Sequence, residues 1–287
     1  VIVIPTSPEI RGDAQDVRSG GFPAWPLPFD ATGARIARSV VRTVFDAVGM
    51  PAGLTHDAAV AISELATNVY VHAFDGAVPA VPAVAGLPEI WAYLRWGAHP
   101  EVVLKVFDSA PWQGPVTKGA LRPPPMAEGG RGFELVNGLM AECGGRWGIH
   151  RTRSRLGAFP VPGKAVFVTV PFPSDCPAES LRPAPKPGRQ VAEEVYALLA
   201  ARGMGRMQGS AGHGMAVICV RAGVHVWVLG ESISYRLPGC GGIRHVLHDG
   251  VEVVEQIVRH CEDLDAVRPC PAAGEFGLLE GRDIKGL

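Results

Sequence analysis

Several function classes are excluded by what this chain lacks. It has no Cys-x-x-Cys pair, and its six cysteines, at positions 143, 176, 219, 240, 261 and 270, are dispersed. No histidines stand at metal-ligand spacing, so neither a disulfide framework nor a zinc site is expected. Scattered thiols of this kind fit a reduced, cytoplasmic protein. Charged residues make up only 19% and the formal net charge is -1, so no basic face is on offer and direct nucleic-acid binding is not expected. The most apolar stretch, Met215 to Leu229, carries Arg221 and His225 and is too short to cross a bilayer. The opening VIVI meets Pro5 after four apolar residues, so no signal peptide and no membrane association are expected.

What the chain does have is enough apolar material for packed cores, at 47% of 287 residues, with clustered glycine and proline between them. Residues 1–29 carry Pro5, Pro8, Pro23, Pro26 and Pro28 with little periodicity and read as a flexible leader. From Asp30 a helical spacing begins, with Ile36, Val40, Val41, Val44 and Val48 on one side, ended by Gly49 and Pro51. A second helix is expected from about Thr55 to Ala73, with Thr55 and Asp57 as capping candidates and Ile62, Leu65, Val69 and Phe74 on its buried side. Two strands follow, 90–96 and 101–107, turned by Gly97-Ala98-His99-Pro100. After a Pro/Gly-rich loop come a helix over 132–142, an edge strand at 147–150 and an alternating strand at 165–171.

This order predicts an α+β fold, with a two-layer α/β sandwich over 30–173. A proline-rich linker is expected at 174–188. Beyond it, helix 190–202, a two- or three-stranded meander at 215–237 and helix 251–264 make a small C-terminal α-β-β(-β)-α domain over 189–267. Its role is read as partner binding or homodimer formation. Residues 268–287 are expected to form a flexible tail.

Three segments carry chemistry. In SELATNVYVHA, steps of four put Glu64, Asn68 and His72 on one stripe of the second helix. A carboxylate and a carboxamide one turn apart can orient a water and give Mg²⁺ a hard oxygen ligand. In VFDSAP, Asp108 ends an apolar strand, where a carboxylate can accept the exocyclic amine of a purine. In EGGRGFELVNGLM, Gly129, Gly130 and Gly132 precede a helix, so bare backbone and unpaired N–H groups can meet phosphate, with Arg131 beside them. The segment lacks a P-loop's Gly-Lys-Ser/Thr and does not follow a strand as a dinucleotide fingerprint does. Singly, each segment has a plainer use: a solvated helix stripe, a turn-starting Asp, a flexible glycine turn.

Together and in this order, they make the chain from about Asp30 to Phe172 resemble the histidine-kinase-like ATPase (GHKL-type) family. Within that family it looks closest to bacterial anti-sigma factor serine kinases and related ATP-binding regulators. SELATNVYVHA resembles the family's N box, VFDSAP and GGRGFELV its two glycine boxes, and GKAVFVTVPFP its closing strand. The resemblance implies ATP and Mg²⁺ as cofactors. It implies Glu64 as the catalytic carboxylate, Asn68 as the Mg²⁺ ligand, and Asp108 as the reader of adenine with Ala110 beside it. Gly130, Arg131, Gly132 and Phe133 would line the phosphate end. It further implies a serine/threonine protein kinase whose partners are a sigma factor or an anti-sigma-factor antagonist protein. A non-catalytic nucleotide-dependent switch is the alternative, and a sensor histidine kinase fragment fits less well, since no separate helix with a modifiable His is evident. Two positions depart from the family pattern: Ala110 stands where Gly is usual, and Ala165 where a Thr or Ser after Gly-Lys usually supports the adenine contact.

Overall fold

The computed structural model describes residues 13–72, 87–110, 112, 132–176, 178–212, 214–238 and 241–267. Its first sheet runs in the order β1-β2-β3-β5-β4, with all four pairings antiparallel. The strands are β1 (Ala24–Pro26), β2 (Glu89–Arg95), β3 (Glu101–Asp108), β4 (Arg146–Arg153) and β5 (Pro162–Pro171). One face is covered by helices α2 (Thr32–Ala47), α3 (Ala52–His72) and α4 (Gly132–Glu142), which gives the expected α+β sandwich.

The central strand β3 is buried at every residue because it is covered on both faces. Val102, Leu104 and Val106 point into the core shared with the helices, and each such buried side chain contributes about 1.5–3 kcal/mol. Val103 and Phe107 alternate to the opposite face, where they pack with Trp91, Tyr93, Phe22 and Ala165. Helix α2 buries Val40, Val41 and Val44, as its spacing predicts, and Gly49 stops it in a left-handed conformation at φ +72°. Helix α3 starts three residues earlier than expected. Thr55 is no cap: its N–H and its hydroxyl both donate to the Pro51 carbonyl, so it lies within the first turn. Ile62, Leu65 and Val69 are buried as expected, while Phe74 lies outside the described residues.

The stretch read as a loose leader is structured from residue 13 onward. A short helix α1 (Ala14–Arg18) is capped by Asp13, whose side chain accepts the Gln15 N–H, and β1 pairs with β2. The prolines that argued for a loop are compatible with β1 because it is an edge strand, where a missing N–H does no harm. The proline-rich segment 174–188 is likewise anchored, since a single 3-10 turn at Ala178–Leu181 buries Leu181 in the first core.

The C-terminal part has α5 (Gly188–Ala201), a meander of five strands and α6 (Gly250–Val267). The strands β6 (Gln208–Gly212), β7 (Met215–Arg221), β8 (Val224–Leu229), β9 (Ser232–Arg236) and β10 (Ile243–Val246) lie in the order β10-β9-β8-β7-β6. The sequence showed only the middle of this sheet. The outer strands, QGSAG and IRHV, lack the apolar alternation that marks a half-buried strand, and most of their residues are exposed. Val253, Val254, Ile257 and Val258 of α6 bury against this second sheet.

The opposite side of α6 packs on the outer face of the first sheet. Glu252 accepts from Tyr93 Oη at 2.6 Å, and Glu255 pairs with Lys105 at 2.9 Å and with Arg202. The Trp96 backbone N–H donates to Asp249 at 2.5 Å. A layer of helices thus stands between the two sheets, and the C-terminal part is docked on the first domain.

Candidate functional site

Glu64 and Asn68 sit one turn apart on α3, both half-buried, with their neighbours Leu65 and Val69 turned into the core. Helix α4 begins at Gly132 directly against them. A methyl group placed on Gly132 would lie 3.2 Å from Glu64 Oε2, 3.4 Å from Asn68 Nδ2 and 3.6 Å from Asn68 Oδ1. The first and third of the three chemistry-bearing segments therefore converge, within van der Waals reach of one another. The N-terminal turn of α4 brings N–H groups without a partner within the helix and the positive end of an 11-residue helix to the same place.

Asn68 Nδ2 is buried and has no hydrogen-bond partner among the described residues. A buried amide left unpaired costs roughly 1–3 kcal/mol, which suits a position that meets an oxygen-rich ligand. Together, a carboxylate, a carboxamide and a helix start fit a Mg²⁺–phosphate group, with Asn68 supplying one hard oxygen and phosphate and water the rest. Among the described residues no group of three or more His, Cys, Asp or Glu side chains could hold a metal ion by itself. His72, the third member of the predicted stripe, is exposed at the end of α3. Gly130 and Arg131 lie outside the described residues.

Phe133 is stacked on Trp147 of β4, with ring centroids 5.2 Å apart and an interplanar angle of 20°. Trp147 Nε1 also donates to Asn137 Oδ1 at 3.1 Å. Two residues of α4 are thereby tied to an edge strand, which fixes where the helix begins. Neither Trp147 nor Asn137 was singled out from the sequence; the i, i+4 spacing of Phe133 and Asn137 was the available signal.

Asp108 closes β3 on the helix side of the sheet, since it continues the parity of Val102, Leu104 and Val106. Its carboxylate is buried and accepts the Ala110 N–H at 3.0 Å. It also pairs with Lys164 Nζ at 2.5 Å. Burial pushes its carboxyl above the usual range, against the pull of Lys164 and the Ala110 N–H. Ala110 is buried beside it. Next to it, Gly163 admits no side chain: a methyl there would fall 2.3 Å from the Asp108 carbonyl oxygen and 2.7 Å from the Phe107 ring.

Register corrects one expectation. Ala165, read as the place of a missing hydroxyl near adenine, pairs with Phe107 and faces the opposite side with Trp91 and Tyr93. The residue opposite Asp108 is Lys164. Sequence reasoning missed it, because the alternation of β5 gives only its face and the register alone sets it opposite Asp108.

These features define a class: an α+β sandwich whose helix layer presents an acidic-plus-amide stripe to a glycine-started helix. Residues 27–155, just under half of the chain, match the family model described as a histidine kinase-like ATPase domain. That stretch is similar to such a domain from α2 through β4. A comparison with curated proteins found none that matches. No helix among the described residues is long and apolar enough to cross a membrane.

Proposed function

We propose that this chain is an ATP-binding regulatory protein that uses Mg-ATP to phosphorylate a serine or threonine of a partner protein, in the manner of an anti-sigma factor kinase. The observation that carries the reading is the meeting of Gly132 with Glu64 and Asn68 at 3.2 and 3.4 Å, measured from a methyl placed on the glycine. The similarity of residues 27–155 to a histidine kinase-like ATPase domain supports the nucleotide. Bound Mg-ATP supplies the phosphoryl group and the cation that neutralises its charge. Asn68 would hold the metal through its carboxamide oxygen, and the N–H groups at the start of α4 would hold phosphate oxygens. Glu64 takes the proton of the attacking hydroxyl as the oxygen–phosphorus bond forms and the bond to the leaving ADP breaks. Positioning and charge stabilisation do most of the work in such a transfer.

The partner of this reading is a sigma factor or an anti-sigma-factor antagonist protein, with the hydroxyl on the antagonist. Transfer of γ-phosphate from labelled ATP to a co-purified small partner tests it. Glu64→Ala is expected to abolish transfer while sparing most nucleotide binding; equal transfer by wild type and variant would overturn the catalytic role. A second reading is a nucleotide-dependent switch without turnover, in which the same site holds the nucleotide and no partner hydroxyl is brought to Glu64. Binding without transfer to any partner hydroxyl is its signature.

A further inference from the structure

The residue that faces the base-reading carboxylate is a cation. Lys164 and Asp108 stand directly opposite in the β3–β5 register and are paired at 2.5 Å on the helix side of the sheet. The Asp108 side chain is 3% exposed and that of Lys164 19%, so the ammonium lies on the open side of the pair. A lysine has three N–H donors, and the bond to Asp108 uses one of them. Among the described residues Lys164 Nζ bonds Asp108 alone, so the pair presents an acceptor and a further donor side by side.

We propose that Lys164 sets the base preference of this pocket, so that it takes a 6-oxo purine as well as a 6-amino purine. The proposal rests on the nucleotide-binding reading above. A lone buried carboxylate selects adenine in two ways. It accepts the 6-amino hydrogen, and it repels the lone pairs of a 6-oxo group. With an ammonium beside it, the second effect is removed: Nζ donates to the 6-oxo oxygen while Asp108 accepts the neighbouring N1–H. Adenine remains complementary too, through its 6-amino group on Asp108 and its ring nitrogen on Nζ.

The test is calorimetric titration of the full chain with Mg-ATP and with Mg-ITP, which differ at the 6-position, for wild type, Lys164→Arg and Lys164→Met. The wild type is expected to bind the two within about tenfold of each other, because neither leaves a buried polar group unpaired. Lys164→Arg keeps a donor and keeps that ratio. Lys164→Met removes it and is expected to shift the ratio toward ATP by roughly tenfold or more. A merely structural role for Lys164 would change both affinities by the same factor and leave the ratio flat. A flat ratio across the three proteins, or rejection of ITP by more than about 100-fold in the wild type, overturns the role of Lys164 while ATP binding stands. Failure of the wild type to bind either nucleotide overturns the site itself.

Discussion

Lys105, in the middle of the central strand β3, is paired at 2.9 Å with Glu255 of the last helix, and both side chains are almost wholly buried. Arg202 reaches the same carboxylate and also donates to Thr152 Oγ1 at 2.6 Å. Charges buried this way are stable only as a set, because each relies on the others to replace lost water. The C-terminal part is therefore a fixed cover for the sheet that carries Asp108 on its other face.

Glu255→Ala leaves Lys105 and Arg202 buried without their shared partner. The expected loss is about 3–5 kcal/mol of unfolding free energy in urea titration, against under about 1 kcal/mol for the exposed pair partner Glu193→Ala. Equal effects of the two substitutions would show that the interface is solvated.

The same cluster makes stability depend on pH. Burial first, and then Lys105, hold His150 down to about 3 from 6.5, so it is neutral in the folded chain. Its Nε2 faces Lys105 at 3.2 Å and its Nδ1 lies 2.8 Å from the Arg151 carbonyl oxygen, an arrangement that fits Lys105 as donor and a proton on Nδ1. Between pH 6.5 and 3 the unfolded chain binds the extra proton, so stability falls as pH drops through that window. Burial works upward on Glu255, but Arg202 and Lys105 outweigh it and set its carboxyl at about 2. Its contribution is present above 4.5 and is lost as pH falls toward 2. Urea midpoints are expected to decline from pH 7 to pH 5, and His150→Gln to flatten that decline. A wild-type profile that is flat or rising toward pH 5 would contradict this.

Gly163→Ala forces a methyl to within 2.3 Å of the Asp108 carbonyl oxygen, which is backbone and cannot swing away. A loss of more than about 1–3 kcal/mol is expected, with weakened nucleotide binding because the strand end carrying Asp108 must shift. Thermal melting and nucleotide titration of the variant check both parts.

Trp147→Ala removes the stack on Phe133 and the bond to Asn137. The direct energetic loss is about 0.5–1.5 kcal/mol for the aromatic pair, and the start of α4 is released from β4. Nucleotide affinity is expected to fall several-fold while Phe133→Leu, which keeps apolar packing, falls less; the two titrations side by side decide it.

Much of this was legible in the sequence because it rests on local periodicity. Helix α4 was read with its observed ends, and the buried faces of α2 and α3 followed from their apolar spacing. The convergence of Glu64, Asn68 and Gly132 was legible only as a pattern of segments, since no local rule brings residue 132 to residue 64. The strands β1, β6 and β10 were not legible, being edge or exposed strands whose side chains need not alternate. Lys164 was passed over for a different reason: its meaning depends on which residue stands across from it, and register is a tertiary property. The docking of α6 on the first sheet was likewise hidden, because nothing local in the sequence marks Glu252 and Glu255 as partners of Tyr93 and Lys105.

The central claim is that α3 and the start of α4 form a Mg-ATP site, and calorimetric titration of Mg-ATP into wild type and Asn68→Ala tests it most directly. Saturable binding by the wild type, weakened at least about tenfold in Asn68→Ala and less dependent on Mg²⁺, is the predicted result. Equal affinity in both proteins, or no binding in either, would contradict it.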